Sequence, residues 1–316
     1  MEDRNYRIAT IIPCYNEELT IARVIGDVRA VLPESEIYVF DNNSTDKTAE
    51  ISRSLGAVVV KEKRQGKGYV VRAMFEKVDA DCYIMVDGDD TYEVEGLRKF
   101  VGMVRNDEAD MIIGCRLSNY TKKAFRPFHF IGNRLVRFLV NRLFRVKSLL
   151  RNGISDVMSG LRVMSRDFVK NINLTSSGFE VETEMIIKAL KYGFVIREEE
   201  VAYRERPEGS ESKLRTLSDG ILVLKTILII FRDYKPLLFF SLVSFFFLFV
   251  SILSGSVVVT EFMETHYIKR VPLAIFASGS MILSMIFCIT GIILDSINRR
   301  FDELNSLIRI KRGSRD

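Results

Sequence analysis

Ten residues from Tyr83 to Tyr92, Tyr-Ile-Met-Val-Asp-Gly-Asp-Asp-Thr-Tyr, set three carboxylates directly behind an apolar run of β character. Asp87, Asp89 and Asp90 are therefore expected at the C-terminal end of a strand, the edge of an open α/β sheet at which ligands bind. Acids spaced Asp-x-Asp can share a divalent cation through hard oxygen ligands. The same turn, with Asp or Thr as N-cap, would also start the next helix without any metal. These ten residues alone leave both readings open.

Two other stretches carry polar groups suited to an anion. Gly66-Lys67-Gly68 lets backbone amides and one ammonium approach a phosphate. It is not a Walker loop, because Lys61 stands where that motif needs Gly and Gly68 where it needs Ser or Thr. Val71 likewise breaks a Gly-x-Gly-x-x-Gly reading, so on its own Lys67 is equally a solvated turn lysine. Residues 204–214, Arg-Glu-Arg-Pro-Glu-Gly-Ser-Glu-Ser-Lys-Leu, form a charged loop able to bind an anion. The two histidines, His129 and His266, are far from the acidic turn in sequence. Glu180, Glu182 and Glu184 open a helical stretch, where they favour the helix dipole.

The elements that must position these groups alternate. Arg7 to Pro13 is an apolar strand, followed by helical spacing of Leu19, Ile21, Ala22, Val24, Ile25 and Val28. The pattern repeats as Glu36 to Phe40 with a helix to Leu55, then as Ala57 to Lys61 with a helix through Val78. Cys82 to Val86 feeds the acidic turn, a helix follows near Glu93 to Arg105, and Asp110 to Cys115 is the next strand. Asp156 to Met164 returns to strand character, Gly178 opens a helix to Tyr192, and Val195 to Tyr203 is the last strand. Alternating strands and helices imply an α/β domain, a mostly parallel sheet with helices on both faces.

Composition adds a membrane part. A hydrophobic fraction of 47% with a mean hydropathy of +0.10 is high for a purely soluble chain of 316 residues. Residues 236–260 and 271–294 are uncharged runs of 25 and 24 residues, each long enough to cross about 30 Å of hydrocarbon. Between Leu117 and Ser155 there is no acid but nine bases, with Leu135, Val136, Leu139, Val140, Leu143 and Phe144 on one side of a helical wheel and Arg134, Arg137, Asn141 and Arg145 on the other. This pattern describes a basic amphipathic helix in a membrane interface; a solvated basic face on a core helix and a nucleic-acid surface are the competing readings. Residues 221–231 fit a second interfacial helix. The tail after Asp295 carries Arg299, Arg300, Arg309, Lys311, Arg312 and Arg315, and the positive-inside rule puts it, with the catalytic domain, on the cytoplasmic side of the plasma membrane. The N-terminal apolar run is too short for a signal-peptide core. Four widely spaced cysteines, Cys14, Cys82, Cys115 and Cys288, read as buried thiols, neither a disulfide framework nor a zinc site.

In this order and spacing the motifs resemble the inverting family-2 glycosyltransferases of GT-A fold, in the branch that loads sugars onto polyprenyl phosphates. The matching stretches are Pro13-Cys-Tyr-Asn-Glu17, Asp41-Asn-Asn-Ser-Thr-Asp46, Gly66-Lys67-Gly68, Asp87-Gly-Asp89, Gly114-Cys-Arg116, Asp156 with Ser159-Gly160 and Arg162, Gly178-Phe-Glu180, and Arg206 with Ser212-Lys213. The resemblance implies a catalytic domain over 1–215, including the basic region 116–155, a juxtamembrane helix over 216–235, two spans within 236–294 and a basic tail over 295–316. It implies that Pro13, Tyr15, Glu17 and Asp41 hold base and ribose. Gly66, Lys67 and an Mg²⁺ or Mn²⁺ on Asp87 and Asp89 would hold the diphosphate. Arg116, Arg134, Arg206, Ser212 and Lys213 would receive the acceptor phosphate. Asp89, Asp156 and Arg116 are the catalytic candidates, and Asp156 and Glu180 the candidates for sugar hydroxyls.

The implied partners are a nucleotide sugar, a polyprenyl phosphate such as undecaprenyl or dolichyl phosphate, and the membrane, with no nucleic acid; homo-oligomer formation is left open. Overall resemblance favours a UDP-hexose or UDP-N-acetylhexosamine donor, with GDP-mannose as the alternative. Asn42 replaces the second acid of the usual loop, and Thr91 stands where mannose synthases often carry glutamine. A processive polysaccharide synthase is disfavoured, because the chain has no tryptophan for the Gln-x-x-Arg-Trp signature and only two spans. A scaffold without catalysis is disfavoured by the intact acids and bases.

Overall fold

The apolar run that opens the domain lacks a polar face, so it must be buried on both sides. It forms β1 (Ile8–Cys14), and its one hydroxyl inside, on Thr10, is matched by Ser35 Oγ at 2.8 Å. The computed structural model describes residues 6–116, 154–204, 206–207 and 231–313, with isolated positions at 138, 221, 225 and 227–229; side chains at 302 and beyond 303 are not described. Seven strands make one sheet: β1, β2 (Glu36–Asp41), β3 (Val58–Lys61), β4 (Cys82–Met85), β5 (Met111–Cys115), β6 (Arg162–Ser165) and β7 (Ile196–Glu200), in the order β3-β2-β1-β4-β6-β5-β7. β6 runs antiparallel to both β4 and β5, and every other pair is parallel. The helices are α1 (Ile21–Val31), α2 (Thr48–Ser54), α3 (Lys67–Lys77), α4 (Leu97–Arg105), α5 (Arg166–Asn171) and α6 (Val181–Lys191).

The order of strands decides where a ligand can sit. β1 is followed in space by β2 on one side and β4 on the other, so consecutive crossovers diverge between β1 and β4 and open a crevice at their carboxyl ends. β4 itself is buried at all four positions. Such a strand is fixed in register, because a one-residue slip would exchange its faces. The acidic turn that follows is thereby held at the crevice.

Three elements differ from the sequence expectation. The strand expected from Asp156 begins at Arg162. Before it, Glu198 Oε1 accepts the amides of Ser155 (2.8 Å) and Asp156 (2.9 Å), so side-chain acceptors replace ladder partners. The helix expected from Glu93 begins at Leu97, because residues 91–93 pair with the chain beyond β7: Glu93 donates its amide to Ala202 O (3.1 Å), and Arg204 donates to Thr91 O (2.8 Å). The short α5, unexpected from the sequence, is capped by Ser165, whose Oγ accepts the Phe168 amide. The basic region is outside the described residues except Arg116, Phe138 and residues 154–155, as is most of the juxtamembrane helix.

Residues 1–227 form one compact unit and residues 228–316 a second. The second holds α7 (Pro236–Thr265) and α8 (Val271–Gly313), whose segments 236–265 and 271–301 are long and apolar enough to cross a membrane. α7 starts with proline at its first turn, where the missing N–H costs nothing. Serine hydroxyls join the pair: Ser244 Oγ donates to Ser284 O and Ser251 Oγ to Ala277 O, both at 2.8 Å. Small residues and interhelical hydrogen bonds of this kind hold helices together where lipid offers no hydrophobic drive.

Candidate active site

At the crevice a cavity of about 260 Å³ is lined by Pro13, Cys14, Tyr15 and Glu17 from the end of β1, Asn42 after β2, Gln65 to Lys67 and Val70 at the start of α3, Asp87 to Asp89 after β4, and by Phe179 and Arg206. Every one of these loops follows a strand or opens a helix at the same sheet edge. Of the residues nominated from sequence for the nucleotide sugar, Pro13, Tyr15, Glu17, Gly66, Lys67 and Asp87 line the cavity. Asp41 does not. It is buried, and its Oδ1 accepts the Ser44 amide at 3.1 Å, which closes the loop after β2.

Asn42 takes the lining position beside it, and its amide clips three pieces of chain together. Nδ2 donates to Glu62 O (3.1 Å) and Arg64 O (2.8 Å), while Oδ1 accepts the Gly66 amide (2.8 Å). Asparagine can donate and accept at once, which an ionised aspartate cannot.

The acidic turn is braced from several sides. Thr91 Oγ1 donates to Asp89 Oδ1 (2.6 Å), and Thr20 Oγ1 to Gly88 O (2.6 Å). A Cβ at Gly160 would lie 2.0 Å from Asp87 Oδ2, so glycine there lets the backbone press against the carboxylate. Asp90 turns away from the cavity with a left-handed backbone (φ 56°) and accepts from Arg23 at 2.9 Å. Of the three acids, two face the crevice.

Each of those two is matched by a cation. Lys67 Nζ donates to Asp87 Oδ1 (2.7 Å) and to Glu182 Oε1 (2.6 Å), and Arg206 is paired with Asp89. Burial opposes the charge on Lys67, but Asp87 and Glu182 outweigh it and hold the ammonium well above its ordinary pKa. Burial, and next the neighbouring Asp87, push the Asp89 carboxyl up. Lys67 and Arg206 are the counter-charges that the structure sets against the two acids. Among the described residues no group of three His, Cys, Asp or Glu could hold a metal alone. A cation on Asp87 and Asp89 would complete its shell with water and diphosphate oxygens, as Mg²⁺ does with one or two carboxylates. The donor set fits that mode of binding.

The glycines of Gly66-Lys67-Gly68 have a reason other than phosphate. Added Cβ atoms would lie 2.2 Å from Ser177 O at Gly66 and 2.2 Å from Ser176 O at Gly68, and the Gly68 amide donates to Ser177 O (3.0 Å). The segment before α6 lies against this loop, and Gly66 adds a left-handed φ of 138°. The sequence reading missed Glu182, the second partner of Lys67. A signal was present: each two-residue step advances about 200° around a helix, so Glu182 points away from the side that Glu180 and Glu184 share, and the three cannot all face solvent. All three are buried.

Arg116 and Asp156 are brought together, away from the cavity lining. Arg116 donates Nε to Asp156 Oδ2 (2.8 Å) and Nη2 to Asp156 Oδ1 (3.1 Å) and Met158 O (2.6 Å), under the rings of Tyr203 and Tyr92. Burial works against its charge, yet Tyr92 and Asp156 hold the guanidinium above its ordinary value. Of the nominated catalytic residues, Asp89 alone lines the cavity. Glu180 also lies off that lining, where its Oε1 accepts the amides of Ser177 and Gly178. Arg134, Ser212 and Lys213 lie outside the described residues.

A mixed sheet of this order with an acidic turn at its switch point defines a GT-A-type α/β domain. The chain belongs to glycosyl transferase family 2, whose model matches residues 9–172, and it is a glycosyltransferase. It is 35% identical over 218 residues to the low-salt glycan biosynthesis hexosyltransferase Agl6 of Haloferax volcanii, covering 67% of this chain and 51% of that protein. It is 30% identical over 224 residues to the dolichyl-phosphate hexose transferase of the same organism, covering 70% of this chain and 92% of that one. The chain thus spans about half of the first relative and nearly all of the second. The crystal structure of Mycobacterium tuberculosis glucosyl-3-phosphoglycerate synthase in complex with Mn²⁺, UDP and glucosyl-3-phosphoglycerate shares the fold, with a TM-score of 0.56 at 20% identity over 72% of this chain and 80% of that one.

Proposed function

We propose that the protein transfers a hexose or N-acetylhexosamine from a UDP-sugar to a polyprenyl phosphate with inversion, at the cytoplasmic face of the plasma membrane. The observation that carries the reading is the convergence of Lys67, Asp87, Asp89 and Arg206 on one cavity that Pro13, Tyr15 and Glu17 also line. The dolichyl-phosphate hexose transferase relative and the two apolar helices support a lipid acceptor. Tyr15 and Pro13 present flat apolar surface to a base, and Lys67 and Arg206 present positive charge to phosphate. Asp87 and Asp89 would hold a divalent cation, Mg²⁺ or Mn²⁺, which would supply positive charge to the nucleotide diphosphate leaving group.

An alcohol acceptor would need a positioned general base. A polyprenyl phosphate is already an anion, with a second pKa near 6 by analogy with phosphorylated side chains. It needs positioning by Arg and Lys, the residue types found here at Arg206 and, in sequence, at Arg134 and Lys213. Attack from the face opposite the diphosphate gives a β-linked lipid phosphosugar from an α-linked donor.

The test is purified full-length protein in detergent with a panel of radiolabelled UDP- and GDP-sugars, offered undecaprenyl phosphate, dolichyl phosphate or the unphosphorylated polyprenol. Transfer to the phosphate with a β anomeric linkage by NMR, abolished by chelator, is the expected result. Efficient transfer to the alcohol would remove the argument against a base, and an α-linked product would remove single displacement. GDP-mannose as the sole donor would overturn the UDP assignment.

A further inference from the structure

Lys67 lies between two carboxylates that have different surroundings. Asp87 lines the cavity, whereas Glu182 does not; the Glu182 side chain is 5% exposed and sits in the first turn of α6. Its backbone is fixed from behind, since the fully buried Arg162 donates Nη2 to Glu182 O at 2.9 Å. A lysine paired with Asp87 alone would compete with any cation for that carboxylate, and would lose its own partner whenever the cation won. Glu182 removes the conflict by giving Lys67 a second anion 2.6 Å away. Glu182 also adds a negative charge to a cluster in which Lys67 and Arg206 already face Asp87 and Asp89.

We infer that Glu182 is a positioning residue that sets the divalent-cation affinity of the Asp87/Asp89 pair by anchoring Lys67, so that Asp87 can turn to the cation while the ammonium stays in place for the diphosphate. The inference rests on the reading of this cavity as a nucleotide-sugar and divalent-cation site. It makes opposite predictions for the two partners of the buried pair. Glu182→Gln leaves Lys67 wholly to Asp87 and weakens the cation; Lys67→Met frees Asp87 and does not.

The experiment titrates Mn²⁺ into the full-length protein in detergent micelles and reads bound metal by electron paramagnetic resonance, without substrate. Supporting partners of metal ligands are worth about 10–100-fold in affinity. Glu182→Gln should therefore bind Mn²⁺ about 10–100-fold more weakly than wild type, and Lys67→Met as tightly or more tightly. Lys67→Met/Glu182→Met removes both buried charges, an exchange that folded proteins generally tolerate, and should return the affinity to within a few-fold of wild type while still binding UDP poorly. The double variant also keeps the test alive if Glu182→Gln alone melts. Glu182→Gln binding Mn²⁺ as wild type does, or Lys67→Met binding it more weakly, would overturn the inference. Wild type that binds no Mn²⁺ would instead strike the reading of the cavity itself.

Discussion

Asp156→Asn separates a chemical role from a structural one. The Asp156 carboxylate is fully buried and receives two guanidinium bonds from Arg116, at 2.8 and 3.1 Å, with the Arg116 side chain only 15% exposed. Removing one partner of a buried ion pair strands the other and costs about 3–5 kcal/mol. Arg116 would keep Met158 O at 2.6 Å and the ring of Tyr203 at 5.6 Å, which favours the lower figure, about 3 kcal/mol. Against a total stability of about 5–15 kcal/mol that is a large fraction. For a unit of this size it corresponds to a fall in apparent Tm of about 6–12 °C. Replacing the pair together, as Arg116→Met/Asp156→Leu, removes both charges and should bring the melt back towards wild type. The assay is thermal melting of full-length protein in detergent, followed by transfer activity well below the melt. An Asp156→Asn protein that melts within 2 °C of wild type but has lost turnover would refute the structural reasoning and return Asp156 to the chemistry.

Asp89→Ala should lower turnover at least about a hundredfold, since charge stabilisation by a bound cation is worth several kcal/mol; full activity would contradict the cation site. Gly68→Ala places a methyl 2.2 Å from Ser176 O, so it should cost about 1–3 kcal/mol by overpacking and raise the KM for nucleotide sugar. Asn42→Asp loses the donors to Glu62 O and Arg64 O and should likewise raise that KM, checked by titrating UDP calorimetrically. Glu184 is buried, which alone would raise its pKa, but bonds from Lys188, Thr175 and the Ser176 amide hold it below its ordinary value of 4.5. A depressed carboxyl contributes stability that is present above the unfolded pKa and lost as pH falls through the folded one. Glu184→Gln should therefore flatten the loss of stability on acidification below about pH 4.5, followed by circular dichroism.

How far sequence reaches into this site depends on whether a residue's partner is local. Asp87 and Asp89 were legible because a buried strand must end somewhere and the residues after it inherit the sheet edge; the turn and its position come from the same ten residues. Lys67 was legible as a cation at the same sheet edge as the acidic turn. Its carboxylate partners were not, because Glu182 is 115 residues away and meets it only once α6 packs behind α3. The antiparallel β6 escaped for a related reason: a strand's side-chain alternation reads the same whichever way it runs, and direction is set by where the chain has come from.

Asn42 shows what a departure from a family pattern can contain. In the sequence it is a missing acid, and so a weakness in the match. In the structure its amide faces two carbonyls and one N–H, from Glu62, Arg64 and Gly66, at the point where the chain passes from β3 to α3. A carboxylate there would meet the two carbonyls with like partial charge and could satisfy only the Gly66 amide. The neighbouring Asp41 closes its own loop by accepting from Ser44, so the pair divides a task that two acids could not share. The backbone carrying Gly66 and Lys67 is thus placed by an amide chosen for its neighbours, and the position of the ammonium at Asp87 follows from that placement.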